Sequence, residues 1–226
     1  MADMRLAAVA EVFRRLRDAN PHPTTELEYA SPFQLLVAVV LSAQATDVGV
    51  NKATRKLYPV ANTPQAILDL GLEGLEGYIK TIGLYKSKAR HLMETCRILV
   101  QQHGGEVPRT REALEELPGV GRKTANVVLF GAFGINEGLA VDTHVKRISY
   151  RLGLTEETDP VPIERDLMKL FPREDWGDVN HRMVWFGREV CEARKPLCGQ
   201  CEMAAFCPQL EPPKTPRPQR KKTATP

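Results

Sequence analysis

No apolar run in this 226-residue chain reaches the ~18–20 residues that a membrane span needs. The longest candidate, Leu35 to Leu41, reads as a buried helix instead. The opening residues carry no charged-then-apolar leader, so no secretory signal is expected. Strand signals are nearly missing: Leu139-Ala140-Val141 is the one weak candidate, too short to found a sheet. Cysteine is scarce. There are five, an odd number, and four crowd into the last folded stretch, which argues against a secreted disulfide framework and for a metal site in a reducing compartment. With 42% apolar and 26% charged residues, the chain is neither collagen-like nor disordered. It contains no internal repeat.

Excess charge is also small, and what there is sits at one end. The net charge is +3, yet from Glu211 onward Lys214, Arg217, Arg220, Lys221 and Lys222 stand against one acid, a net +4. Subtraction leaves residues 1–210 at −1. A folded body of that charge binds nucleic acid only by segregating its cations onto one surface. Residues 210–226 hold five prolines and few apolar side chains, and a disordered basic tail is expected there.

What remains is helix. Leu6, Val9, Phe13 and Leu16 form one apolar stripe at helical spacing. Ser31-Pro32 and Thr63-Pro64 each pair an N-cap with proline at the first helical position. Asp47, Ser87, Thr110 and Asp142 stand before further helix-like runs, and Gly83, Gly104 and Gly153 occupy places suited to C-caps. About ten helices and an all-α fold are expected. Residues 24–135 read as one helical domain, and 136–209 as a second that holds the cysteines.

Three stretches carry chemistry. In Leu117-Pro-Gly-Val-Gly-Arg-Lys-Thr-Ala125, Pro118 ends one helix and Arg122 opens the next. Gly119, Val120, Gly121 and Arg122 thus form a tight turn at a helix N-terminus, where free N–H groups and the macrodipole attract an anion such as a DNA phosphate. Lys123 lies in the first turn, where the positive helix end and Arg122 oppose a second cation. Its amine reads either as a nucleophile or as a phosphate contact. Asp142, in Ala140-Val-Asp-Thr-His-Val145, reads as an N-cap whose rigid carboxylate is compatible with catalysis. Cys191-x6-Cys198-x2-Cys201-x5-Cys207 can wrap one metal centre, zinc or an iron–sulfur cluster. Cys96 reads as a core thiol.

Taken together, LSAQATD at 41–47, GLYKSKA at 83–89, LPGVGRKTANVV at 117–128, AVDTHV at 140–145 and the cysteine spacing closely resemble the endonuclease III family of DNA glycosylases with lyase activity. The resemblance spans nearly the whole folded chain. It implies a six-helix barrel with a helix-hairpin-helix, residues 24–135, beside a second helical domain, residues 1–23 and 136–209, that holds a [4Fe–4S] cluster on the four cysteines. It implies removal of oxidised pyrimidines from double-stranded DNA, and cleavage at abasic sites, with Lys123 as nucleophile and Asp142 as catalytic carboxylate. Gln44 and Leu84 resemble the residues that fill the gap left by a flipped nucleotide, although Leu84 also reads as a helix-end contact packed back on Ile79. Arg194 and Lys195 then look like phosphate contacts as well as ordinary solvated charges, and Asp47 and His144 read either as pocket-lining residues or as an N-cap and a helix-surface imidazole. A monomer, no membrane association, and a bacterial cytoplasmic, nucleoid-associated location are expected. The related adenine glycosylases lack a lysine at the position of Lys123 and carry a further domain. A non-enzymatic DNA-binding module with structural zinc is the rival of another class, and an electron-transfer protein would not need the hairpin.

Overall fold

The computed structural model describes residues 2–211, with side chains from residue 9 onward. Its helices are α1 (Ala2–Ala19), α2 (Pro32–Ser42), α3 (Asp47–Leu57), α4 (Pro64–Ile79), α5 (Tyr85–Gln102), α6 (Arg111–Glu115), α7 (Arg122–Phe133), α8 (Thr143–Arg151), α9 (Pro160–Leu170) and α10 (Trp176–Glu189). Two short 3-10 turns, Arg173–Asp175 and Cys198–Gln200, complete the order. Among the described residues there is no strand, and 139–141 is irregular. No described helix is long and apolar enough to cross a membrane.

Local chemistry starts most of these helices. The hydroxyls of Ser31, Thr63 and Thr110 accept the amides of Gln34, Ala66 and Ala113, and Pro32 and Pro64 follow two of them. Two starts differ from the expectation. Thr46 caps α3 by accepting from Gly49 N, which places Asp47 at the first helical position. Ser87 lies inside the first turn of α5, and the residue before that helix is Leu84, in a left-handed conformation with no side-chain cap. Of the three expected C-cap glycines, Gly104 and Gly153 are left-handed and Gly83 is not.

The helices surround two apolar cores. Six of them, α2 to α7, enclose the larger, with α2 buried on nearly every side because it carries Phe33 and the run Leu35 to Leu41. Cys96 sits in this core, where burial pushes its thiol up to about 12. The smaller core joins Val9, Val12 and Leu16 of α1 to Val145, Ile148, Ile163, Leu167, Val179 and Met183. The first helix therefore belongs with the last three.

A polar seam joins the two halves. Glu164 of α9 is buried, and its two oxygens accept from Arg122 Nε and, at 2.9 Å, from Asn126 Nδ2 of α7. A side chain at Gly138 would collide with both Glu164 and Asn126, so only glycine lets this chain segment pass. At the other end Leu210 N donates to Arg151 O, and Glu211 pairs with Arg151 at 2.8 Å. The chain is thus tied down two residues further than its composition suggests, and residues 212–226 of the expected tail lie outside the described residues.

Candidate active site

The turn that opens α7 is built as its sequence requires. Gly119 has φ +81°, a left-handed value that favours glycine, and a Cβ there would also press on His91 Nδ1 at 3.0 Å. Thr95 Oγ1 of α5 donates to Pro118 O at 3.2 Å and fixes the turn from behind. Gly121 precedes α7 with no side-chain cap, so the first-turn amides are left for an external acceptor. A Cβ at Gly121 would meet nothing in the protein, so packing does not require glycine there and an approaching ligand would. The side chains of Val120 and Arg122 are engaged within the protein. The Val120 side chain is buried, and its amide donates to Leu117 O, which anchors the hairpin. Arg122 is paired with Glu164, which compensates the charge expected to bear on Lys123.

Lys123 itself is exposed, and it faces a cleft of ≈ 370 Å³. Asp142 lines the same cleft from the N-terminus of α8. Residues 19 apart in sequence are thereby brought to one space. The carboxylate is held rigidly, because Oδ1 accepts both His144 N at 2.8 Å and Val145 N at 2.9 Å. Capping therefore occupies one oxygen and leaves Oδ2 outside the cap, so the capping role is compatible with a catalytic one.

Further walls come from Ser42, Asp47, His181, Trp185 and Arg188. Arg188 of α10 spans to Asp47 at 2.8 Å and to Glu26 at 2.6 Å, a clasp across the mouth. His144 does not line the cleft: it packs beneath Gly187 with its Nδ1 3.2 Å from Arg147. Sequence reading missed His181. Its ring lies edge-on to Phe130, burial pushes its pKa down, and its Nδ1 has no partner. No local pattern in α10 marks that imidazole, since what surrounds it comes from distant segments.

Gln44 and Leu84 are set apart by backbone conformation. Both are non-glycine residues with left-handed φ, +55° and +59°, and both are exposed. Leu84 is 63% exposed, which removes the reading in which it packs on Ile79. The two are neighbours: a Cβ at Gly83 would lie 3.7 Å from Gln44 O.

On the far side of α8, Cys191, Cys198, Cys201 and Cys207 line one cavity of ≈ 250 Å³. None is in a disulfide. Burial, and then the neighbouring cysteines, push the Cys201 and Cys207 thiols up, so four thiolates here require a compensating cation. A zinc ion would need four sulfurs at ~2.3 Å from a single point. Four thiols that line one cavity are a donor set suited to a metal centre held by sulfur, either a zinc ion or an iron–sulfur cluster. Arg194 and Lys195 are exposed in the loop between the first two cysteines.

Residues 37–173 match the model of the HhH-GPD superfamily base excision DNA repair protein family. The chain is 59% identical over 201 residues to the endonuclease III of Haemophilus influenzae, covering 89% of this chain and 95% of that protein. Its fold is similar to that of a non-covalent endonuclease III–DNA complex, with TM-score 0.86 and 44% identity over 90% of this chain and 95% of the other. It is equally similar to a trapped endonuclease III–DNA covalent intermediate, with TM-score 0.85 and 43% identity over 92% and 96% of the two chains.

Proposed function

Because the chain belongs to the endonuclease III family within the HhH-GPD superfamily, we propose that it is a base-excision-repair DNA glycosylase that removes oxidised pyrimidines from duplex DNA and then cuts the strand as an abasic-site lyase. The observation that carries this reading is the meeting of the Lys123 amine and the Asp142 carboxylate in one cleft beside a hairpin with free helix-terminal amides.

The chemistry follows from those groups. A damaged base is out of reach inside the stack, so its nucleotide must be swung into the cleft. The hairpin amides hold a backbone phosphate, while Gln44 and Leu84 occupy the space vacated in the duplex. The amine of Lys123 then attacks C1′ of the sugar through its nitrogen lone pair, and the bond from C1′ to the base breaks. The Asp142 carboxylate stabilises the positive charge that develops at C1′. Loss of the amine proton and opening of the sugar ring give an imine between Lys123 and C1′. That imine acidifies the C2′ proton, and its removal expels the 3′ phosphate by β-elimination.

The two apolar cores are read as the two domains, residues 24–135 and residues 1–23 with 136–209, with the cleft between them. Cys191, Cys198, Cys201 and Cys207 would hold a [4Fe–4S] cluster whose part is to tie their irregular segment together. Arg194 and Lys195 on that segment, with the hairpin, supply the contacts to DNA phosphates. A monomer acting in a bacterial cytoplasm completes the reading. Duplex DNA carrying one oxidised pyrimidine, incubated with the protein and run on a denaturing gel, should show a strand ending in the unsaturated sugar of β-elimination. Intact strands, with free base released or not, would contradict the lyase assignment.

A further inference from the structure

We propose that Lys88 is the positioning residue that locks Gln44 and Leu84 together as one wedge for insertion into the duplex. Lys88 is only 5% exposed, and among the described residues no carboxylate lies within ion-pair distance of it. A buried ammonium without a counter-charge is costly, and burial pushes its pKa down. Packing alone is served better by methionine or leucine. What the ammonium does instead is donate to Leu41 O at 2.8 Å, at the C-terminal end of α2, where carbonyls lack helical partners and the macrodipole is negative. The backbone amide of the same residue donates to Leu84 O at 3.1 Å. One residue therefore ties together the end of α2, three residues before Gln44, and the left-handed residue that opens α5.

The load on these segments explains the need for such a tie. Gln44 and Leu84 each sit in a left-handed conformation that is strained for a residue with a side chain, and Leu84 has no side-chain cap to hold it. Prising a base step apart adds to that load. Two loops that share this work must keep their spacing under strain. The contact between Gly83 and Gln44 O sets how close they come, and Lys88 keeps them from parting.

The proposal rests on the wedge reading of Gln44 and Leu84, and the test separates the two. Base release is measured in single turnovers with saturating enzyme on two substrates: an oxidised pyrimidine in full duplex, and the same lesion in a short unpaired bubble where it is already unstacked. Lys88→Met should slow the duplex reaction about ten- to hundredfold, the scale of an ångström-sized misplacement, and the bubble reaction by no more than about threefold. Leu84→Gly and Gln44→Ala should show the same selectivity. If these two lose nothing on duplex, the wedge reading fails. If they are selective while Lys88→Met slows both substrates alike, or neither, the assignment of Lys88 is overturned. Should Lys88→Met not fold, Lys88→Leu, which also removes the donor to Leu41 O, should give the same ratio, and loss shared equally between the substrates again overturns it.

Discussion

At the scale of single residues, the site depends on groups that serve two roles. Asp142 both caps α8 and faces the cleft, so Asp142→Asn, which retains an oxygen for the cap, should fold and bind DNA normally. Base release should fall by about 10²–10⁴-fold, as for a lost acid–base or charge-stabilising group, measured in single turnovers. Near-normal release would reduce Asp142 to a cap. Glu164 is the partner of Arg122 and Asn126 across the seam. Glu164→Ala should lower stability by about 1–2 kcal/mol in urea unfolding, less than for a fully buried pair because Arg122 reaches solvent. His181 gives a pH signature. Burial pushes its pKa down, so the unfolded chain binds the proton more tightly, and stability is full above the ordinary value of 6.5. It should fall as pH drops from 6.5 toward the lower folded value, and His181→Gln should flatten that part of a melting-temperature curve. An equal slope in the variant would assign the acid sensitivity to other groups.

At the scale of elements, legibility in the sequence follows the range of the interaction. The caps at Ser31, Thr63, Thr110 and Asp142 bind amides two or three residues on, and their chemistry is written in the same few letters. The hairpin is equally local, and so is its dependence on Gly119. Gly119→Ala must adopt φ +81° and displace His91, which should weaken DNA binding together with stability. The start of α5 was not legible, because no cap residue marks it; Leu84 O accepts the backbone amide of Lys88, whose ammonium reaches across to Leu41 O of α2. The pairing of the Arg122 guanidinium with Glu164, 42 residues away, is likewise not written in the hairpin's own letters. His181 and Arg188 were missed for the same reason: each acquires its role from residues that the fold, not the local sequence, brings near.

At the scale of the whole molecule, two helical halves meet at a cleft, and a third functional unit hangs from the second half. The four cysteines predict a brown protein with about four irons and acid-labile sulfide per chain; one zinc per colourless chain would contradict this. The body carries no excess of positive charge, so the cations beyond Glu211 should matter for binding to undamaged DNA. Truncation after Glu211, which leaves the Arg151 pair intact, should flatten the salt dependence of that binding by about 2 units, the effect of leaving two or three phosphates without a cation. Parallel lines would mean that this segment touches no phosphates. The central claim is that Lys123 forms a covalent imine with the sugar of a damaged nucleotide. Borohydride added during reaction with oxidised-pyrimidine DNA reduces such an imine to a stable amine, so the wild-type protein should shift to a protein–DNA band on a denaturing gel. Lys123→Gln should bind the same DNA and give no such band; undiminished crosslinking in that variant would contradict the account.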